Sequence, residues 1–151
     1  MGTRQLLLIT LSIVIVGIAV AIGFSMFNEQ AKTAHRNMII SRMNNFVVEA
    51  LQHRKIMQAN TGEATYEGYK PVGAVDSGHV AGNSPGGVKL ETDQVNYFIE
   101  WYFNDKLKII ASSKVYGEGN YWQNDYNARI IAVYDNKGEV DEEGFQIKGN
   151  W

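Results

Sequence analysis

Residues Leu6–Phe27 form an uncharged, predominantly apolar run of 22 residues near the amino terminus. A second, amphipathic helical pattern follows from Asn28 to about Gln58, with neither proline nor glycine inside it. At a rise of ~1.5 Å per residue, one helix from Thr3 to Gln58 would be ~80 Å long, far longer than a small globular domain needs. We therefore expect its first half to be buried in lipid or among copies of itself.

Length and charge divide the chain at the end of this helix. The 93 residues from Ala59 onward suffice for one modest core, and cysteine is absent, so no disulfide or thiolate metal site exists. Six basic and two acidic residues give residues 1–58 a net charge of +4, whereas eight basic and fourteen acidic residues give residues 59–151 a net charge of −6. This separation suits either an ordinary solvated acidic domain or contact between the domain of one copy and the helix of another. Nucleic-acid binding is not indicated, because no lysine-rich stripe interleaved with aromatic residues occurs.

Three interpretations compete for the apolar segment. A signal peptide could be cleaved after Ala19-Val20-Ala21, but the sequence continues apolar to Phe27, which weighs against cleavage there. A single-pass anchor is the second, since ~20 apolar residues span a bilayer. The third is a helix that leaves the membrane to pack in a protein bundle, favoured by two small-residue pairs, Gly17 with Ala21 and Ala19 with Gly23.

The segment after Asn28 narrows to an apolar stripe at spacings of three and four residues, which is typical of a helix with one covered face. The helix is predicted to end at Asn60-Thr61-Gly62, where glycine suits the left-handed conformation that follows a helix. Residues 62–87 hold seven glycines and both prolines and predict a long surface loop.

Strand patterns begin at Gln94. Alternation predicts one strand to Phe103, a turn at Asn104-Asp105 and a second strand in 106–116, with Leu107, Ile109, Ala111 and Val115 on one face. A third strand is predicted over Asn127–Tyr134, and a turn at 135–138 leads into a weaker fourth stretch around Val140–Lys148. The sequence thus predicts an α+β fold in which a long N-terminal helix, apolar and then amphipathic, packs on a small antiparallel sheet.

The predicted organisation is a helix over 1–58, divided into an apolar part (1–27) and an amphipathic part (28–58), then a glycine-rich loop (59–93) and a sheet domain (94–151). The residues expected in the core between helix and sheet are Met38, Met43, Phe46, Val47, Leu51, Tyr97, Ile99, Trp101, Ile109 and Ile130.

This layout resembles the ladle architecture of type IV pilins and the related pseudopilins, in which the apolar half-helices form a filament core and the sheets its surface. Counted from Met1, Gln5 lies where that family places a glutamate, and the family's frequent helix-bending proline is missing. The residues expected to pack between subunits are Gln5, Leu8, Leu11, Ile15, Gly17, Ala19, Ala21, Gly23, Phe24 and Phe27. Candidate surface contacts are the aromatic residues Tyr121, Trp122, Tyr126 and Trp151.

No pattern for catalysis or for a cofactor is found. His35, His53 and His79 have no second histidine at metal-ligand spacing, and the acidic run of residues 135–143 fails the calcium-loop pattern. Glu49, four residues before His53, is better explained as a helical surface pair than as a ligand.

The resemblance implies a non-enzymatic structural subunit of an extracellular filament, inserted in the cytoplasmic (inner) membrane before assembly. Its partners would be further copies of the chain and the filament assembly machinery, with no cofactor, metal or nucleic acid. Two alternatives stay open: a low-copy pseudopilin of a secretion or DNA-uptake machine, and a membrane-anchored domain that binds a ligand through residues 62–87.

Overall fold

The computed structural model describes residues 2–76, 86–102, 105–116, 128–149 and 151. The chain divides into two compact units, Met1–Asn37 and Met38–Trp151. The first unit is helical throughout its described part, and the second contains the remainder of the same helix and a sheet.

The helix α1 comprises Gly2–Thr61. It ends where the sequence predicts, because Gly62 adopts a φ of 81° and its N–H donates to the carbonyl oxygen of Gln58 at 3.0 Å. In the second unit, α1 buries one face, which consists of Ile39, Met43, Phe46, Val47 and Ala50. Their spacing of three and four residues is the stripe expected for a helix lying on a sheet.

Six antiparallel strands are described, and each pairs with its neighbours in chain order. They are β1 Val75–Asp76, β2 Gly86–Glu91, β3 Val95–Tyr102, β4 Lys106–Ser113, β5 Arg129–Tyr134 and β6 Gln146–Lys148. The α+β arrangement of one long helix packed with an antiparallel sheet is therefore confirmed.

The core lies between the helix and one face of the sheet. Tyr97 pairs with Ala111, which pairs with Ile130, so one cross-strand row spans three strands, and all three side chains are buried. The ring of Phe46 meets that of Tyr97 edge to face, with ring centroids 5.1 Å apart. Alternate positions of the strands thus supply the apolar layer that the helix covers.

One predicted core residue, Met38, and one residue predicted on the apolar face of the second strand, Val115, are exposed. Met38 is 44% exposed, because it lies one residue before the buried stripe begins at Ile39 and so faces solvent. Val115 is also exposed, because β4 ends at Ser113 and the alternation stops with it. The other predicted core residues are buried, and Leu51 is partly buried against the same cluster.

The prediction of a long surface loop over residues 62–87 was also wrong in part. Residues Val75–Asp76 and Gly86–Glu91 form strands, and Tyr66 and Tyr69 are buried in the core. Tyr66 donates its hydroxyl to the carbonyl oxygen of Asp135 at 2.8 Å. This segment therefore packs on the domain instead of lying free on its surface. Residues 77–85 lie outside the described residues.

The guanidinium group of Arg54 connects the last turns of α1 to three other segments. It donates to the carbonyl oxygens of Ala64 at 3.2 Å and Asn136 at 2.8 Å, and to a carboxylate oxygen of Asp105 at 3.1 Å. Its central carbon lies 5.5 Å from the centre of the Tyr66 ring. Asp105 has a φ of 55°, so this ion pair also stabilises a residue in a left-handed turn.

We expect Arg54→Ala to lower the free energy of unfolding of the sheet domain by about 2–3 kcal/mol, because several partly buried hydrogen bonds to one cation are lost together. Arg54→Lys should recover less than half of that loss, since an ammonium group cannot reach three acceptors in a plane. Urea unfolding of the detergent-solubilised full chain, followed by tryptophan fluorescence, measures both effects. Lys55→Ala, at an exposed neighbouring position, is the matched control. Wild-type stability of Arg54→Lys would contradict the geometric explanation.

Buried tyrosines make the domain sensitive to alkali. Burial raises the pKa of Tyr69, as does the charge of Glu49, to which the Tyr69 hydroxyl donates at 3.0 Å. Burial likewise raises the pKa of Tyr134, which donates to Asn44 at 3.3 Å. A phenol whose pKa is raised by folding contributes stability that is fully present below the unfolded pKa of about 10 and is lost as pH rises through the folded pKa.

We therefore expect the urea midpoint of the full chain to be flat from about pH 8 to pH 9.5 and to fall above about pH 10. Tyr69→Phe should lower the midpoint at pH 8, because a hydrogen bond is lost, and should make the fall above pH 10 shallower. An equally steep alkaline fall in Tyr69→Phe would assign that fall to other groups.

Candidate assembly surface

The candidate site is the apolar part of α1 in the first unit, which no other described part of the chain covers. Its large side chains between Leu6 and Phe27 are 51–68% exposed, about as open as an isolated helix allows. The apolar window of α1 contains no buried residue, and by length and composition this helix is able to cross a membrane. All ten residues predicted to pack between subunits lie on this exposed segment.

Two hydroxyl groups in the first half of this segment donate hydrogen bonds within the helix. Thr10 donates to the carbonyl oxygen of Leu7 at 2.9 Å, and Ser12 donates to that of Leu8 at 2.8 Å. Because these donors are already bonded, they add little to the cost of placing the segment in an apolar environment. The nearest acidic side chain that follows, Glu29, pairs with Lys32 at 3.4 Å, beyond the apolar run.

Small residues occupy two sides of this helix. At 3.6 residues per turn, Thr10, Gly17 and Ala21 lie within about 40° of one another; we call this set stripe A. Ser12, Ala19 and Gly23 form an equally narrow stripe B, about 160° from stripe A around the helix. A Cβ atom added at Gly17 or Gly23 would meet no atom within 4 Å outside the helix backbone, so neither glycine is needed for packing within the monomer.

The number of small-residue stripes on a helix determines how many neighbouring helices can pack closely against it. A single small-residue face lets two helices approach closely and form a dimer. Two faces on opposite sides give each helix two close neighbours, and contacts of that kind continue from copy to copy without closing on themselves unless a ring forms. The arrangement is therefore suited to bundling many identical helices.

Of the four aromatic residues predicted as surface contacts, the structure describes only Trp151. Tyr121, Trp122 and Tyr126 lie outside the described residues. Trp151 was expected at the surface, but it is partly buried against the core, and its ring centroid is 6.3 Å from that of Tyr116. Part of its ring is thus packed within the domain and part stays accessible, and its role as a contact between subunits stays a prediction.

A metal site is not assembled in the part of the chain that the structure describes. There, no group of three His, Asp or Glu side chains is placed to hold a metal ion. Glu49 accepts the hydroxyl of Tyr69, and the His53 ring lies 6.0 Å from the Tyr69 ring, so the Glu49–His53 pair belongs to the packing of the domain. Within the described ranges the acidic turn is also internally bonded: Asp135 accepts backbone N–H groups from Lys137 and Glu139.

Comparison with known proteins adds no family assignment. No family model, curated protein or solved structure matches this chain.

Proposed function

We propose that this chain is a pilin-like structural subunit, which resides in the cytoplasmic membrane through residues 6–27 and is then assembled into an extracellular helical filament. The observation that carries the proposal is the exposed apolar helix with small residues on two opposed sides. Withdrawal of such a segment from water at roughly 25 cal/mol per Å² of apolar surface is worth tens of kcal/mol, so a free soluble monomer would be negligible. Lipid covers the segment before assembly, and neighbouring copies cover it afterwards.

The continuity of α1 supports a filament over a simple anchor. The helix runs from Gly2 to Thr61 without a break, and its second part forms the core of the sheet domain. An anchor needs only a flexible connection to its domain. In the proposed filament the apolar part of the helix forms the core and the sheets of successive copies form the surface, so one uninterrupted helix suits a subunit that uses both of its parts.

Disulfide cross-linking between copies tests the proposal, and the absence of native cysteine makes the readout clean. One cysteine is placed on stripe A by Ala21→Cys, one on stripe B by Gly23→Cys, and the double variant carries both. The full-length chains are oxidised in the cells that produce them and separated on a non-reducing gel. Since a helix with neighbours on both sides can be linked through both, the double variant should give a series of multimers, whereas each single variant stops at dimers.

The result that would overturn the proposal is a double variant that yields nothing larger than a dimer, at Ala21 and Gly23 and at the equivalent pair Gly17 and Ala19. A monomer in every variant would favour the membrane-anchored domain. A dimer in the stripe A variant alone would favour a pair of anchored chains joined through one face.

A further inference from the structure

The turn at Pro71–Ala74 presents an apolar side chain to solvent on a rigid base. Val72 is 98% exposed, more than any other large apolar side chain in the described residues. The turn is closed by a hydrogen bond from the N–H of Ala74 to the carbonyl oxygen of Pro71 at 3.0 Å, with Gly73 at a φ of 84°. Pro71 and Ala74 are themselves buried. A side chain held on so fixed a turn loses little conformational entropy when it binds.

A groove of about 490 Å³ lies in the same domain between α1 and the turn that joins β2 to β3. Met38, Val95 and Tyr97 form its apolar lining, and Met38 is the large exposed member. Arg42 and Asp93 supply one charge of each sign at the groove, and neither forms an ion pair within the described residues. The guanidinium of Arg42 lies over an aromatic ring of the domain, 5.6 Å from its centre. The groove therefore offers an apolar surface and two charges that have no ion-pair partner in the described part of the chain.

The charges beside Val72 are complementary to those of the groove. Lys70 and Asp76 flank the turn and pair with each other at 3.2 Å, with side chains 44% and 82% exposed. A pair so exposed contributes little to the monomer, so either charge can exchange its partner at small cost. Lys70 opposite Asp93 and Asp76 opposite Arg42 would bring opposite charges together on both sides of an apolar contact.

We infer that the Pro71–Ala74 turn of one copy docks into the Met38–Tyr97 groove of a second copy, with Val72 against Met38 and with Asp76 facing Arg42. The partner is another molecule of this chain, because the turn and the groove carry matching apolar and charged groups. This contact lies in the sheet domain and involves none of the residues of stripes A and B. It adds a contact between sheet domains to the proposed polymer. The inference rests on the proposed function, which brings the copies together.

Two differently tagged full-length chains, produced together in the same cells, test the contact. One carries Val72→Cys and the other Met38→Cys; both positions are exposed, so the domain should fold normally. Oxidation should give a disulfide-linked pair that contains both tags. The matched control replaces Met38→Cys by Lys148→Cys, at an exposed position on β6, and should give little of this product.

Charge exchange tests the orientation of the contact. On the Val72→Cys chain, Asp76→Arg puts a positive charge opposite Arg42. On the Met38→Cys chain, Arg42→Asp puts a negative charge opposite Asp76. Each change alone should lower the cross-linked fraction about tenfold, because like charges then face each other, and the two together should restore it. Restoration is not expected from a nonspecific loss of folding.

Cross-linking of Val72→Cys to Met38→Cys at only the level of the Lys148→Cys control would overturn the inference, as would failure of the combined charge exchange to exceed the single changes. The stripe A and stripe B cross-links, measured in parallel, separate this failure from failure of the filament proposal. If those multimers persist while the Val72 product is missing, the polymer stands and this contact does not.

Discussion

Replacement of Gly17 or Ala21 by Phe should abolish assembly while the sheet domain stays folded. Both residues lie on stripe A, where a small side chain lets a neighbouring helix approach closely. A phenyl ring there separates the helices, and at about 3 kcal/mol for an overpacked contact the constant for adding a subunit falls about 100-fold. In the proposed polymer each added subunit would make more than one such contact, so the loss should be larger in a long polymer.

Phe substitutions on stripe B should also abolish assembly, whereas a Phe substitution on the side of the helix between the stripes should not. Ala19→Phe and Gly23→Phe are the stripe B variants. Ile18→Phe is the matched control, since Ile18 lies about 80° from the centre of stripe A and about 120° from that of stripe B. Assembly is measured as the fraction of the chain that sediments after shearing, and folding as the urea midpoint in detergent. Normal sedimentation of both stripe A variants would refute close packing through that face.

The largest effect on the domain itself is expected at Gly138. This glycine has a φ of 81°, and its N–H donates to the carbonyl oxygen of Asp135 at 3.2 Å. A Cβ atom at this position would lie 2.5 Å from a methyl carbon of Leu51 and 3.1 Å from one of Val47. The turn after β5 therefore lies directly against the helix, and glycine is required for backbone conformation and for space.

We expect Gly138→Ala to lower the free energy of unfolding by about 2–4 kcal/mol, combining about 1 kcal/mol for the left-handed backbone with the cost of overpacking. Gly144→Ala separates the two contributions, since Gly144 has a φ of 63° but no atom within 4 Å of an added Cβ. It should cost only about 1 kcal/mol.

Leu51→Ala should make room for the extra methyl group. Gly138→Ala introduced into Leu51→Ala should therefore cost less than in the native sequence, which a double-mutant cycle detects. Equal losses in Gly138→Ala and Gly144→Ala would contradict the steric contact with the helix.

The long helix and three of the strands were predictable because their apolar periodicity is strong. Residues 39–50 repeat at three and four positions, and β3, most of β4 and β5 alternate, so the side chains themselves define which faces are buried. The end of α1 was predictable from Gly62, whose conformation a side chain would oppose.

Strand β2 was missed because its packing is supplied from another strand. It begins at Gly86-Gly87, which on sequence grounds indicates a loop, but Gly86 pairs with Trp101, whose indole ring occupies the space of a side chain on Gly86. A Cβ atom on Gly86 would lie 2.6 Å from that ring. The three acceptors of Arg54 were equally hidden, because they come from segments 10, 51 and 82 residues away along the chain.

The apolar surface was predictable because, unlike strand β2 and the Arg54 contacts, it does not depend on residues distant along the chain. The exposure of residues 6–27 follows from their composition, and the two stripes follow from the helical repeat alone. The docking turn at Val72 was not predictable, since its exposure depends on the burial of Pro71 and Ala74 beside it.

The most direct test of the account is electron microscopy of material sheared from producing cells, with mass spectrometry of the intact subunit. If the helices form the core of a polymer, the material consists of thin, uniform fibres of this chain, with residues 6–27 still present in the subunit. If no fibres form, and the chain is found only in detergent extracts of membranes as a monomer, the central claim that these helices form the core of a polymer is contradicted.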